Sequence, residues 1–87
     1  MMRKRSRLEI YLDILNAIKK GIDKPTRIMY NINLSWNPFQ KILESMVSQG
    51  LIARTEEKKR KHYVITEKGR NVLRYFNKAN ELIIIKS

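Results

Sequence analysis

PTRIMYNINLSWNPFQKILESMVSQGLIARTEEKKRKHYVI, residues 25–65, is the stretch that decides the fold. Pro25 suits the first turn of a short helix, where its missing N–H costs nothing. Arg27, Ile28, Met29 and Tyr30 continue that helix. Asn31, Ile32 and Asn33 then form a turn without glycine, with an Asn taking positive φ. A further helix is predicted over about Trp36 to Gln49. Its N-cap is Ser35, with Leu34 placed to staple onto Phe39, or else Asn37, with Pro38 first in the helix. Phe39, Ile42, Leu43, Met46 and Val47 give it one apolar stripe. Gly50 closes it in the left-handed conformation. A β-hairpin follows, pairing Leu51–Ile52–Ala53 with Tyr63–Val64–Ile65. Between these lie nine residues, RTEEKKRKH, without an apolar side chain, so they are expected to project into solvent as a loop.

Outward from this centre, residues 6–20 read as a first helix. Ser6 and Glu9 have the spacing of a capping box. Leu8, Tyr11, Leu12, Leu15 and Ile18 recur at helical spacing, widened by Ile14, and Gly21 stops the helix. At the other end Thr66 is an N-cap for a last helix running from about Glu67 toward Ile84. Val72, Leu73, Phe76, Ala79, Leu82 and Ile83 share one of its faces. The fold class is therefore α+β, mostly α. It is a winged helix-turn-helix of three helices and a two-stranded wing, with a C-terminal dimerisation helix. Residues 1–66 are assigned to the winged helix, and 67–87 to a dimerisation element of the same domain.

Composition narrows the function. The chain has 87 residues and no cysteine, so neither disulfides nor thiolate metal sites support its small core. Its 19 Lys and Arg stand against 8 Asp and Glu, a net charge of +11. Such a surplus favours nucleic acid first and anionic surfaces second. No signal-type apolar run follows the basic N-terminus, and Leu82–Ile85 is too short to span a bilayer, so the expected location is cytoplasmic and nucleoid-associated. No glycine-rich phosphate loop or His/Cys cluster is present. The carboxylates are scattered, with only Glu56 and Glu57 adjacent, on the wing. An enzyme, a metal, a cofactor and a small-molecule ligand are accordingly not expected.

The expected partner is double-stranded DNA. A helix the size of the third fits the major groove. Its solvent stripe offers Asn37, Gln40, Lys41, Glu44, Ser45 and Ser48, which include the side chains that read base edges. Arg54, Lys58, Lys59, Arg60 and Lys61 make the wing basic and suit phosphates or the minor groove. Arg3, Lys4, Arg5 and Arg7 form a basic N-terminal arm, which either joins the contact or is passive. Arg27, early in the second helix, is placed to meet the DNA backbone. Trp36 is expected to pack in the core, and His62 to be structural or phosphate-contacting. The alternative function is a protein-interaction module that docks an acidic partner.

The run TRIMYNINLSWNPFQKILESMVSQGLI, followed by YVITEKG, resembles the archaeal ten-kilodalton "10a" class of winged-helix DNA-binding proteins, and KRSRLEIYLDILNAI looks like the opening of that family. The likeness covers about Lys4 to Lys78. It implies an archaeal DNA-binding protein, chromatin-like or regulatory, that forms a homodimer through an antiparallel coiled coil of its last helices. By that resemblance Asn37, Gln40 and Lys41 match the recognition helix, residues 54–62 the wing, and Leu73, Phe76, Asn80 and Ile83 the dimer seam. The chain departs from the family in a shorter last helix and in Pro38.

The residues themselves point the same way about self-association. Leu73, Phe76, Asn80 and Ile83 alternate by three and four, as a heptad seam does. A monomer would leave Leu82 to Ile85 exposed, which marks an interface that includes Val72, Leu82, Ile83 and Ile84, unless the helix folds back on its own domain to cover the first helix. A two-fold dimer would set two recognition helices on successive major grooves, about 34 Å apart.

Overall fold

A computed structural model describes residues 5–83. Arg3, Lys4 and Ile84 lie outside the described residues. The order is α1 (Arg7–Lys19), α2 (Pro25–Ile32), α3 (Trp36–Ser48), β1 (Ile52–Glu57), β2 (Arg60–Ile65) and α4 (Glu67–Leu82). The strands form one antiparallel pair.

Local chemistry sets most of the boundaries. At α1 the capping box is complete: Glu9 N donates to Ser6 Oγ at 3.1 Å, and Ser6 N donates to Glu9 Oε1 at 2.9 Å. The helix α2 runs two residues further than its sequence suggests, through Ile32, because Ile32 buries itself beside Ile28. Asn33 alone then turns the chain, at φ 59°. Ser35 precedes α3 but makes no side-chain cap bond. Pro38 occupies the third helical position and has no N–H to offer it. Gly50, at φ 76°, ends the α3 segment as expected.

The core is one cluster. Ile14, Leu15, Ala17 and Ile18 of α1 meet Ile28 and Ile32, then Phe39, Ile42, Leu43 and Met46, and finally Leu51, Ile52, Tyr63, Ile65 and Leu73. The helix α1 packs on α2, β2 and α4, so it is covered from several sides. That explains why its buried set reaches beyond the expected face. Ile14, Leu15 and Ile18 are inside as expected, Ala17 joins them, and Leu8 at the N-terminal end is exposed.

The wing is a regular ladder rather than a nine-residue loop. Its strands continue to Glu57 and resume at Arg60, with Glu56 opposite Lys61 and Glu57 opposite Arg60. Lys58 and Lys59 form the whole turn, at φ 51° and 66°. Positive φ at both central residues is the hairpin geometry that usually takes Asn-Gly. Lysines there strain the backbone by about 1 kcal/mol or more each. The expectation failed because both faces of the outer wing meet solvent. Pairing then needs neither apolar alternation nor a glycine turn; backbone bonds and opposite charges across the strands suffice.

Candidate nucleic-acid interface

Burial on one side of α2 and α3 fixes what the other side presents. With Ile28 and Ile32 inside, Thr26, Arg27, Tyr30 and Asn31 face out and line a concavity with Ile22. With Phe39, Ile42, Leu43 and Met46 inside, Asn37, Gln40, Lys41, Glu44 and Ser48 are exposed along α3. A second hollow joins this helix to the wing. Pro25, Trp36, Gln40, Leu43 and Glu44 line it together with Arg54, Tyr63 and Lys61. A third lies between the start of α2 and the wing, lined by Lys24, Pro25, Thr26, Lys59, Arg60 and Lys61. The third hollow shares Thr26 with the first, and Pro25 and Lys61 with the second, so the three adjoin along one side of the domain.

The wing base is held to this face by specific bonds. Tyr63 N donates to the Asp23 carbonyl at 2.9 Å, and His62 Nδ1 lies 3.2 Å from Asp23 Oδ2. His62 is thus a tie between β2 and the segment joining α1 to α2. The Arg54 guanidinium sits over the Tyr63 ring, 5.9 Å from its centroid. Arg54, Lys58, Lys59, Arg60 and Lys61 are all exposed.

Several expected site residues have other employment. Arg5 Nη1 pairs with Asp13 Oδ2 at 2.6 Å, and Arg5 Nη2 donates to the Ile32 carbonyl. Ser45 is half-buried, its Oγ 2.7 Å from the Tyr11 hydroxyl and 3.0 Å from Gln49 Nε2. Leu73 is 2% exposed within the domain's own core, so it cannot also form a seam between copies. Val72 packs against that core and is half-buried, as is Phe76, whereas Asn80, Leu82 and Ile83 are exposed.

Trp36 corrects the expectation of a core position. It is 43% exposed, its ring tilted 45° to Phe39 at 6.1 Å. As the first residue of α3 it has one edge on Phe39 and the rest in the hollow beside the wing. Tyr30 was not singled out in the sequence, although its place between Ile28 and Ile32, off their stripe, was a usable signal. Tyr11 was read only as an apolar position. Its hydroxyl accepts from Gln49 Nε2 at 3.1 Å and from Arg7 Nε at 3.3 Å as well as meeting Ser45. Burial pushes the Tyr11 phenol up, but these hydrogen bonds and the Arg7 charge outweigh it and leave the pKa lowered.

Among the described residues, no cluster of three His, Cys, Asp or Glu side chains is suited to a metal ion, and no helix is long and apolar enough to cross a membrane.

Known proteins are similar to this chain in sequence or in fold. An uncharacterised protein of Methanocaldococcus jannaschii is 39% identical over 69 residues, covering 79% of this chain and 67% of that protein. A second from the same organism is 31% identical over 80 residues, 92% of this chain but 36% of its own length. The chain therefore spans about two thirds of one relative and about a third of the other. Among solved structures, Sso10a-2, a DNA-binding protein from Sulfolobus solfataricus, matches with a TM-score of 0.73 and 29% identity over 90% of this chain and 81% of that one. BpsR of Bordetella bronchiseptica matches with a TM-score of 0.70 at 12% identity, over 77% of this chain and 50% of that one. The transcriptional regulator Tm0710 of Thermotoga maritima matches with 0.67 at 18%, over 87% and 62%. At those two identities the likeness is one of fold. A family model described as winged helix-turn-helix matches residues 4–84, and on that match the chain belongs to the winged helix-turn-helix family.

Proposed function

We propose that this protein binds double-stranded DNA as a homodimer, as a transcription regulator or a chromatin-type protein of the nucleoid. One observation carries the reading. Gln40 and Glu44 on the exposed side of α3 share a hollow with Arg54 and Lys61 of the wing, and Lys61 joins it to the hollow lined by Lys59 and Arg60. The net charge of +11 and the similarity to the DNA-binding Sso10a-2 support it. In this reading α3 enters the major groove with Asn37, Gln40, Lys41 and Glu44 toward the bases. Arg27 and the wing residues Arg54, Lys58, Lys59, Arg60 and Lys61 meet phosphates. No covalent step is involved; the chemistry is charge neutralisation and hydrogen bonding.

With about six phosphates neutralised, log affinity for random duplex should fall with log salt at a slope near −5. A salt titration that returns a flat line removes the reading.

The far end of α4 supports the dimer. Tyr75, Leu82 and Ile83 are 73%, 76% and 58% exposed, and a second copy laid along this end would cover them. Residues 67–87 are then the dimerisation element, with Val72, Phe76, Asn80, Leu82 and Ile83 at the seam. Sedimentation of the free protein should give twice 10.4 kDa; a monomer mass at micromolar concentration would overturn this part.

A further inference from the structure

The exposed surface of α3 has two long edges, and only one faces the wing. Gln40 and Glu44 run along the wing edge, in the hollow they share with Arg54 and Lys61. Ser45 and Gln49 run along the opposite edge, where both bond to Tyr11 of α1. Arg7 stands one turn before Tyr11. Its guanidinium lies over the Tyr11 ring, 5.8 Å from the centroid, and its Nε donates to the same hydroxyl that holds Ser45 and Gln49.

This arrangement leaves the reactive end of Arg7 available. Among the described residues its bonds are to Tyr11 alone, through Nε, so both terminal amino groups remain as donors. The residue is exposed. It is also the first residue of α1, where a cation works against the helix dipole, so its placement does not serve the helix. Arg5, by contrast, is consumed by Asp13 and the Ile32 carbonyl. A planar guanidinium, stacked and hydrogen-bonded on one side and bare on the other, is organised for bidentate contact with a phosphate.

A major groove about 12 Å wide is bounded by two phosphate ridges. The wing accounts for one of them. We propose that Arg7 is a phosphate-contacting residue for the opposite ridge, and that Tyr11 is a positioning residue that fixes both Arg7 and the C-terminal turn of α3. This rests on the duplex-binding reading above. Tyr11 acts through a network: Gln49 and Arg7 donate to its oxygen, which directs the phenol hydrogen to Ser45. The lowered Tyr11 pKa agrees with a hydroxyl that accepts more than it donates.

The test uses the full chain, a random-sequence duplex and a salt titration, with thermal unfolding alongside. One lost phosphate contact removes about 0.9 from the salt slope, which at 0.1 M salt is roughly an eightfold loss of affinity. Arg7→Ala should show both losses with its melting temperature unchanged, while Arg7→Lys should keep the slope. Tyr11→Phe retains the ring and removes the hydroxyl. It should weaken binding several-fold with the slope kept, since the charge remains but is no longer oriented. A steep wild-type slope with an equal slope for Arg7→Ala overturns this inference alone. An unfolded or strongly destabilised Arg7→Ala also overturns it, since it would give Arg7 a structural role. A flat wild-type titration overturns the duplex-binding reading itself.

Discussion

Gly69→Ala is expected to destabilise the domain by about 3 kcal/mol or more, against a total of about 4–13 kcal/mol for a chain this size. The melting temperature should fall by about 15 °C. Gly69 is the third residue of α4, and its N–H donates to Thr66 Oγ1 at 3.0 Å. The N-terminus of that helix is docked on the strand entry. Thr66 N donates to the Leu51 carbonyl at 3.2 Å, and the Thr66 hydroxyl lies 2.9 Å from the same oxygen. A methyl group on Gly69 would sit 2.1 Å from that carbonyl oxygen, 2.9 Å from Ile65 Cγ1 and 3.2 Å from Leu15 Cδ2. The first of these is backbone, held by the Thr66 N–H, and cannot step aside as a side-chain tip would. Intrinsic propensity points the other way: alanine in place of glycine favours a helix by about 1 kcal/mol. The sign of the measured change therefore tests the close approach directly. An unchanged or raised melting temperature would show that α4 does not lie against Leu51.

The second large effect concerns binding. Replacing Lys58, Lys59, Arg60 and Lys61 together by glutamine should lower duplex affinity by about three and a half orders of magnitude at 0.1 M salt. Each phosphate contact carries about 0.9 decade of affinity per decade of salt, so four contacts account for most of the slope. Glu56 and Glu57 lie opposite Lys61 and Arg60 in the ladder, and would then face the phosphates with no cation across from them. Stability should change little. These side chains are exposed, and the turn keeps its positive φ with glutamine as with lysine. Retention of wild-type affinity and slope would mean that the wing points away from the duplex. The strained Lys58–Lys59 turn gives this variant a further meaning. Asn-Gly would close the hairpin with less strain, so lysines at these two positions fit a surface where charge outweighs local stability.

Much of this was legible in the sequence because it depends on neighbours along the chain. The Ser6–Glu9 capping box, the Thr66 cap, the left-handed Asn33 and Gly50, and the apolar stripe of α3 all follow from spacings of three or four residues. So does the order of elements, and with it the fold. Legibility failed where a residue's fate is set by something distant. The outer wing has no apolar alternation, so its strands are specified only by pairing across the turn. Leu73 fits a heptad seam as well as a core stripe, and only the packing of α4 against α1 and β2 chooses the core. Trp36 has the size of a core residue, but Phe39 already occupies the buried position on that turn and is fully covered.

The sequence alone determined which segments are helices, where they are capped, and that the surface carries a large positive charge. These depend on local backbone chemistry and on composition, which do not change when the chain folds. Which polar groups of the charged surface stay available was decided only by the tertiary structure. It spends Arg5 on Asp13, and Ser45 on Tyr11. It ties the wing to the segment joining α1 to α2 through His62 and Asp23 and leaves Arg7 bonded to Tyr11 alone among the described residues. The physical reason is that a hydrogen bond forms with whatever lies within about 3 Å, and those neighbours, the Arg7–Tyr11 pair apart, are separated by 8 to 39 positions in the chain.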